Sequence, residues 1–225
     1  MTFSILGYCD TTEMQGVAIT TSSISVGSRC PWVRAGIGAV TSQNITDPRI
    51  GNEVLDLLEQ GVGVSDAIDK VMRQRPYAEY RQVAAIDSSG NASHFTGSEI
   101  LGNHSVAEGH HCVAAGNLLS NVAVPLAMVK EYEQSSDYHL AERLLRALEA
   151  GIASGGEVGP THSAALLVAH ETSWPLVDLR VDWSDQPVSE LRTCWTRYEP
   201  QMNDYLTRAL NPIAAPAYGV PGDPK

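Results

Sequence analysis

The sequence predicts an α+β fold, in the form of a four-layer αββα sandwich with two antiparallel sheets packed face to face between helices. Three observations favour this architecture. Strand-like segments occur in blocks, pairs of helical segments separate the blocks, and 43% of the 225 residues are hydrophobic, which is enough for a sizeable core. A doubly wound parallel sheet would require regular alternation of single strands and helices, which this sequence lacks.

The first block contains three predicted strands. Residues 3–6 are short and apolar, residues 15–21 alternate, and residues 36–42 include glycines that permit close backbone approach. A polar turn over residues 9–13 separates the first two strands. The Cys30-Pro31-Trp32 sequence indicates the start of a further strand.

Two helices are predicted next. Asn52 is expected to cap the first helix and Gly61 to end it. Ser65 is expected to cap the second helix, which has an apolar stripe, and Pro76 to end it.

The rest of the chain repeats this arrangement of strands and helix pairs. A turn at residues 88–91 predicts a β-hairpin. The further predicted elements are strands at 82–86, 92–96, 111–115, 163–169 and 176–182, and helices at 121–133, 138–153 and 188–210. We expect one domain over residues 1–210, followed by a proline-rich, irregular C-terminal extension over residues 211–225.

Composition limits the classes of partner. The net charge of −11 argues against nucleic acid, because phosphate binding needs clustered lysine and arginine. No apolar run is long enough to span a membrane and no signal peptide is visible, so we expect a cytoplasmic protein that binds neither nucleic acid nor membrane. The four tryptophans lead us to expect a homodimer or larger homo-oligomer. No cofactor is expected, and the four cysteines, none in a CxxC pair, are expected to be buried thiols.

Thr2 is the residue most informative about chemistry. If Met1 is removed, the chain begins with a threonine whose free α-amino group can act as the base for its own hydroxyl. A strand that starts at once holds this residue in place. An N-terminal threonine on a strand, with an αββα sandwich behind it, is typical of N-terminal nucleophile (Ntn) hydrolases.

Several motifs together resemble the family known as domain of unknown function 1028. They include TFSI at 2–5, AGIGAV at 35–40, AGN at 115–117, SAALLV at 163–168 and PVSELR at 187–192. The resemblance covers residues 2 to about 192 and implies an Ntn-hydrolase fold with an exposed N-terminal threonine. This sequence departs from the family where His162 and Ala115 replace glutamines, and where residues 157–161 replace an arginine-rich loop.

Other residues are candidates for the site around Thr2. Asp10 is expected to orient the Thr2 amine, and Asn117 with Gly116 to stabilise an oxyanion. Substrate-binding candidates are Ser22, Ser23, Arg34, Gly116 and His104, the last because it matches a histidine that the family often carries. Arg34 would supply positive charge, since no lysine lies in a predicted strand near the N-terminus.

The histidines raise the question of a metal site. His94, His104, His110 and His111 occur together with Glu99 and Glu108, a set that imidazole and carboxylate chemistry would allow to bind zinc. Neither an HExxH nor an HxH spacing is present, so no metal site is predicted.

Three functions remain open on the sequence alone. The first is an Ntn amidohydrolase that acts on a small amide or related acyl substrate through Thr2. The second is a non-catalytic binding or assembly protein that retains the fold. The third is a metal-dependent hydrolase that uses the histidine cluster. Whether the protein is an enzyme therefore depends on the state of Met1 and the surroundings of Thr2.

Overall fold

The computed structural model describes residues 1–222 and has an α+β fold with two antiparallel sheets and helices. Residues 223–225, the last three of the predicted extension, lie outside the described residues. The α+β class predicted from the sequence is confirmed.

The larger sheet has six strands in the order β10-β9-β2-β1-β8-β7. Its strands are β1 (Thr2–Tyr8), β2 (Gln15–Thr21), β7 (Ser105–Gly109), β8 (Cys112–Asn117), β9 (Ser163–Ala169) and β10 (Val177–Val181). The first strand of the chain is therefore an inner strand, paired with β2 on one side and β8 on the other. All seven residues of β1 are buried, because neighbours cover both edges and both faces.

The smaller sheet has four strands in the order β3-β4-β5-β6. These strands are β3 (Pro31–Arg34), β4 (Gly38–Asn44), β5 (Arg81–Asp87) and β6 (Ala92–Thr96). Its inner strands β4 and β5 contact β1, β2 and β8 of the larger sheet.

Helices pack against both sheets. Helices α1 (Arg49–Glu59) and α2 (Val64–Arg73) contact the four-stranded sheet, and α3 (Val124–Gln134), α4 (Leu140–Ala153) and α5 (Pro187–Tyr198) contact the six-stranded sheet. A short helix, α6 (Met202–Leu210), follows α5.

Alternation along β1 shows which side each residue faces. Leu6 and Tyr8 belong to a hydrophobic cluster that also contains Ala84 and Ile86 of the smaller sheet. Phe3 belongs to a different cluster, made with residues of α3 and α4. Because side chains alternate along a strand, Thr2 lies on the Leu6 side and faces the smaller sheet.

Some element boundaries differ from those predicted. Helix α1 begins at Arg49 and α2 at Val64, so neither Asn52 nor Ser65 is the N-cap; Pro48 and Gly63 hold those positions. The helix predicted over 188–210 is divided between α5 and α6 by a 3₁₀ turn at Glu199–Gln201. Pro200 lies in that turn, where its missing N–H interrupts the helical hydrogen bonds. Strand β7 was not predicted.

Beyond α6, residues 211–222 form turns and irregular segments. Arg208 contacts the carbonyl oxygens of Pro216 and Ala217 and the ring of Tyr218. Of the tryptophans, Trp195 is buried; the predicted homo-oligomer stays a prediction. Among the described residues, no helix combines the length and apolarity needed to cross a membrane.

Candidate functional site

Thr2 lies at one end of the space between the two sheets. Its partners across the strands are Thr21 on β2 and Asn117 on β8. Thr2 Oγ donates a hydrogen bond of 2.6 Å to the carbonyl oxygen of Met1 and lies 3.1 Å from Thr21 Oγ. The Thr21 hydroxyl also donates to the Met1 carbonyl oxygen. Two hydroxyls thus converge on one carbonyl oxygen, at a threonine that is only 5% exposed.

A chain of buried polar side chains connects the sheets behind Thr2. Ser4 donates to Gln43 Oε1 at 2.9 Å, and Gln43 Nε2 donates to Gln82 Oε1 at 2.8 Å. Gln82 Nε2 donates to the Gly116 carbonyl oxygen at 3.1 Å, which fixes the orientation of this amide. Asn117 Nδ2 donates to Gln82 Oε1 at 3.1 Å. Asn117 Oδ1 is left buried without a hydrogen-bond partner among the described residues.

Glu157 is a buried carboxyl group next to this end of the sheet. It follows α4, is 6% exposed, and forms an isolated bridge with Leu119. Burial raises its pKa to about 8, while the N-terminal amine and, to a lesser extent, the N–H and hydroxyl of Ser22 act to lower the pKa. Neither carboxyl oxygen completes a hydrogen bond with a described residue. An isolated buried carboxyl group is costly, so its presence needs a functional explanation.

A cavity of about 400 Å³ opens beside Glu157. Its walls come from the loop after α4 and from the start of α5, and they include Ile152, Pro160 and Val188. The side chain of Met1 approaches Gly159 in the same loop, with its Cε 3.4 Å from the point where a Cβ on that glycine would lie. The cavity therefore adjoins the N-terminus.

Four of the other predicted site residues lie at the Thr2 end of the sheet. Ser22 adjoins Glu157, and the Ser23 carbonyl oxygen accepts a hydrogen bond from Ser163 Oγ. Gly116 binds Gln82 through its carbonyl oxygen. His104 precedes β7, two strands away from β1 and thus roughly 10 Å from it. Its Nδ1 lies 3.1 Å from the Gly102 carbonyl oxygen, and the residue is exposed, so it does not contact Thr2.

Asp10 and Arg34 lie elsewhere, and their expected roles beside Thr2 are corrected. Asp10 follows the far end of β1, and a seven-residue strand spans about 20 Å. Arg34 pairs with Gly38 at the same far end and forms ion pairs with Asp56 and Glu59 of α1. Strand β3 ends and β4 begins at that far end, so the residues that join these two strands, Arg34 included, are remote from the N-terminus.

The histidines form pairs and not one cluster. His94 Nδ1 lies 3.0 Å from Glu108 Oε1, and the rings of His110 and His111 stack with their centroids 3.9 Å apart. Within residues 1–222, no group of three or more metal-ligating side chains is placed to hold a metal ion. No cluster of side chains in the described part of the chain therefore supports the metal-dependent hydrolase.

Sequence reasoning missed two residues of this site, Thr21 and Glu157. Thr21 ends β2, and its pairing with Thr2 follows from the register of the β1–β2 hairpin. A sequence signal for Thr21 was thus available in the alternation of β2. The sequence gives no comparable signal for Glu157, because its burial depends on how the loop after α4 packs against distant strands.

Solved structures of other proteins resemble this chain to different degrees. A crystal structure of a protein from Silicibacter pomeroyi, described with the DUF1028 family model, has a TM-score of 0.84 and 34% sequence identity, and the match covers 91% of this chain and 89% of that one. Anbu, described as an ancestral beta-subunit, from Yersinia bercovieri has a TM-score of 0.39 and 10% identity over 89% of this chain and 96% of that one. An Anbu mutant from Hyphomicrobium sp. strain MC1 has a TM-score of 0.42 and 12% identity, with the same coverage.

These last two likenesses are too remote to support a conclusion about this chain. No curated protein matches. The family described as "Family of unknown function (DUF1028)" matches residues 2–191, which confirms the resemblance found in the sequence. The chain therefore belongs to the DUF1028 family.

Proposed function

We propose that this protein is an N-terminal nucleophile amidohydrolase that acts on a small amide or related acyl substrate through Thr2. The observation that carries the proposal is the convergence of the Thr2 and Thr21 hydroxyls on one carbonyl oxygen at a buried strand end. Removal of Met1 would leave the Thr2 amine free at the same place. A hydroxyl and an amine on one residue then supply both the nucleophile and its base.

The packing of the elements supports the same proposal. Helices α1 and α2 contact the smaller sheet, the two sheets contact each other, and α3, α4 and α5 contact the larger sheet. This order supports a four-layer αββα sandwich of the Ntn-hydrolase kind as the architecture. Strand β1, which carries Thr2, is an inner strand of the larger sheet, so its neighbours hold Thr2 in place.

The proposed reaction proceeds through an ester. The neutral Thr2 amine takes the hydroxyl proton while Oγ attacks the acyl carbon, and Thr21 donates a hydrogen bond to the acyl oxygen as it gains negative charge. The C–N bond then breaks, and the leaving amine takes the proton from the Thr2 ammonium group. Water hydrolyses the Thr2 ester and restores the hydroxyl.

Asn117 receives a different role in this proposal from the one expected from the sequence. Its Nδ2 donates to Gln82, whereas its Oδ1 has no partner among the described residues. An acceptor cannot stabilise an oxyanion, but it can hold an N–H of the Thr2 amine. We therefore propose that Thr21 contacts the acyl oxygen and that Asn117 orients the Thr2 amine, which is the base.

A non-catalytic binding or assembly protein is the alternative. The state of the site with Met1 in place favours this alternative. The Thr2 nitrogen is then part of a peptide bond, and the Thr2 and Thr21 hydroxyls both donate to the Met1 carbonyl oxygen. In that state no base is available for Thr2. The mass of the purified chain distinguishes the two forms, because the hydrolase requires the loss of Met1.

The test of the hydrolase is turnover of a panel of small amides by protein whose mass shows Thr2 to be first. We expect Thr2→Ala to lose at least about a thousandfold in kcat/KM and Thr2→Ser to keep part of it, because serine retains the hydroxyl and the amine. Acetylation of the amine should abolish turnover. Full activity of Thr2→Ala, with circular dichroism showing an unchanged fold, would overturn the proposal.

A further inference from the structure

Met1 occupies this site in the way that the acyl part of a substrate would. It is an α-aminoacyl group: its carbonyl oxygen accepts hydrogen bonds from Thr2 and Thr21, and its side chain approaches Gly159 beside the cavity. Its ammonium group is the cation whose proximity acts on Glu157. Each of the three parts of the aminoacyl group, namely carbonyl, side chain and ammonium, thus has a counterpart in the protein.

Glu157 is the residue whose surroundings indicate a ligand. The residue is 6% exposed, lines the cavity, and has two carboxyl oxygens without hydrogen-bond partners among the described residues. The described lining of the cavity contains neither lysine nor arginine that could neutralise it. A cationic group entering the cavity would supply both the charge and the hydrogen bonds that Glu157 lacks.

The rest of the cavity limits what that cation can be attached to. Ile152, Pro160 and Val188 provide apolar walls, and about 400 Å³ is room for a small side chain and not for a long peptide. Asp185 also lines the cavity, but its side chain is 94% exposed, so water screens its charge. Of the two carboxylates that line the cavity, Glu157 is therefore the one that would bind a buried ammonium group.

We propose that this cavity binds α-aminoacyl groups, so that the substrate is a small amide of an α-amino acid with a free ammonium group and an apolar side chain. The proposal rests on the proposed function for its reaction but not for its binding site. In the reaction, Thr2 Oγ bonds to the aminoacyl carbon and the amide C–N bond breaks. The leaving amine takes the proton that came from the Thr2 hydroxyl. Water then hydrolyses the ester, which releases the free amino acid and restores the hydroxyl.

Binding can be measured without turnover. The chain carries Thr2→Ala so that the ligand stays intact, and it is prepared to start at position 2 by cleavage of an N-terminal fusion, checked by mass. The probes are L-methionine amide and its N-acetyl derivative, titrated by calorimetry or by NMR. We expect the free amine to bind at least about tenfold more tightly than the acetylated probe, since one charge-assisted hydrogen bond to a buried carboxylate is lost on acetylation.

A second pair of measurements identifies the carboxylate. Glu157→Gln in the same background should weaken binding of L-methionine amide at least about tenfold, whereas Glu171→Gln, an exposed carboxylate at the opposite end of the sheet, should leave it unchanged. Equal binding of the two probes would overturn the proposal, as would an unchanged affinity in a folded Glu157→Gln. Binding as expected with no turnover of any amide by the Thr2 protein would support this site while overturning the proposed hydrolase.

Discussion

Two carboxyl groups, each 6% exposed, have opposite surroundings. Asp47 precedes α1 and forms ion pairs with Arg49 at 2.7 Å and Arg75 at 3.2 Å. Hydrogen bonding to Arg49 lowers its pKa to about 2. Glu157 has no such partner in the described part of the chain, and burial raises its pKa to about 8.

The difference means that the charge of Asp47 stabilises the fold, whereas the charge of Glu157 does not. Asp47 also accepts a hydrogen bond from the backbone N–H of Arg49 at the start of α1, so its charge contributes to the stability of that helix. Glu157 decreases stability when it is ionised, because neither of its carboxyl oxygens has a hydrogen-bond partner among the described residues. Substitutions in the two regions should therefore change stability in opposite directions.

The largest effect is expected at Asp47. Asp47→Asn should lower the free energy of unfolding by about 3 kcal/mol, because it leaves Arg75 buried without its full complement of negative charge. The contribution of Asp47 is present above the unfolded-state pKa near 4 and disappears as the pH falls through the range from 4 to about 2. Urea unfolding at pH 7 measures the change. Asp69→Asn, an exposed pair on α2, is the control and should change stability by less than about 0.5 kcal/mol.

A smaller effect of opposite sign is expected at Glu157. Its folded-state pKa lies above its unfolded value, so wild-type stability falls as the pH rises from about 4 to about 8, whereas Glu157→Gln has no such loss. The variant should therefore be more stable than the wild type by about 2 kcal/mol at pH 7.5, and the difference should shrink toward pH 5. Urea unfolding at the two pH values measures this. A variant less stable than the wild type at pH 7.5 would show that Glu157 is paired in the folded protein.

The smallest effect concerns Thr21 and activity. Thr21→Val keeps the shape of the side chain but removes the hydroxyl that donates to the carbonyl oxygen. We expect kcat/KM for amides to fall about tenfold, the worth of one hydrogen bond of ordinary strength. Thr41→Val is the matched control and should retain full activity, since the Thr41 hydroxyl is buried and has no hydrogen-bond partner among residues 1–222. A Thr21→Val enzyme as active as the wild type would show that the acyl oxygen is stabilised elsewhere.

Much of the fold was accessible from runs of apolar residues and from turn residues. Strands β2, β6 and β9 have the predicted bounds. Strands β2 and β9 are buried at every residue, which favours small and apolar side chains along their whole length, and β6 follows the turn predicted at residues 88–91. Strand β7 was missed because it lies at the sheet edge and is mostly half-buried, so little apolar patterning is required of it. The helix starts at Pro48 and Gly63 were missed because neither residue is a typical side-chain cap.

The site was accessible only in part, for a different reason. Thr2 could be identified from its own chemistry, and Asn117 from its place at a strand end. Asp10 and Arg34 were misplaced because the direction of the strands was not taken into account: Asp10 follows β1 and Arg34 precedes β4, both at the end of the sheets opposite Thr2. Glu157 depends on contacts between the loop after α4 and the N-terminus, which are separated by most of the chain.

The inner position of β1 has a consequence for the order of events during synthesis. Strand β1 can pair with β2 early, but its other partner, β8, begins at Cys112 and emerges from the ribosome roughly 100 residues later, a delay on the order of 5–20 s. During this delay the N-terminal methionine remains open to an aminopeptidase. Once β8 has paired, Thr2 is buried and the Met1 carbonyl is held by two hydroxyls. We therefore expect any removal of Met1 to precede the pairing of β8 with β1.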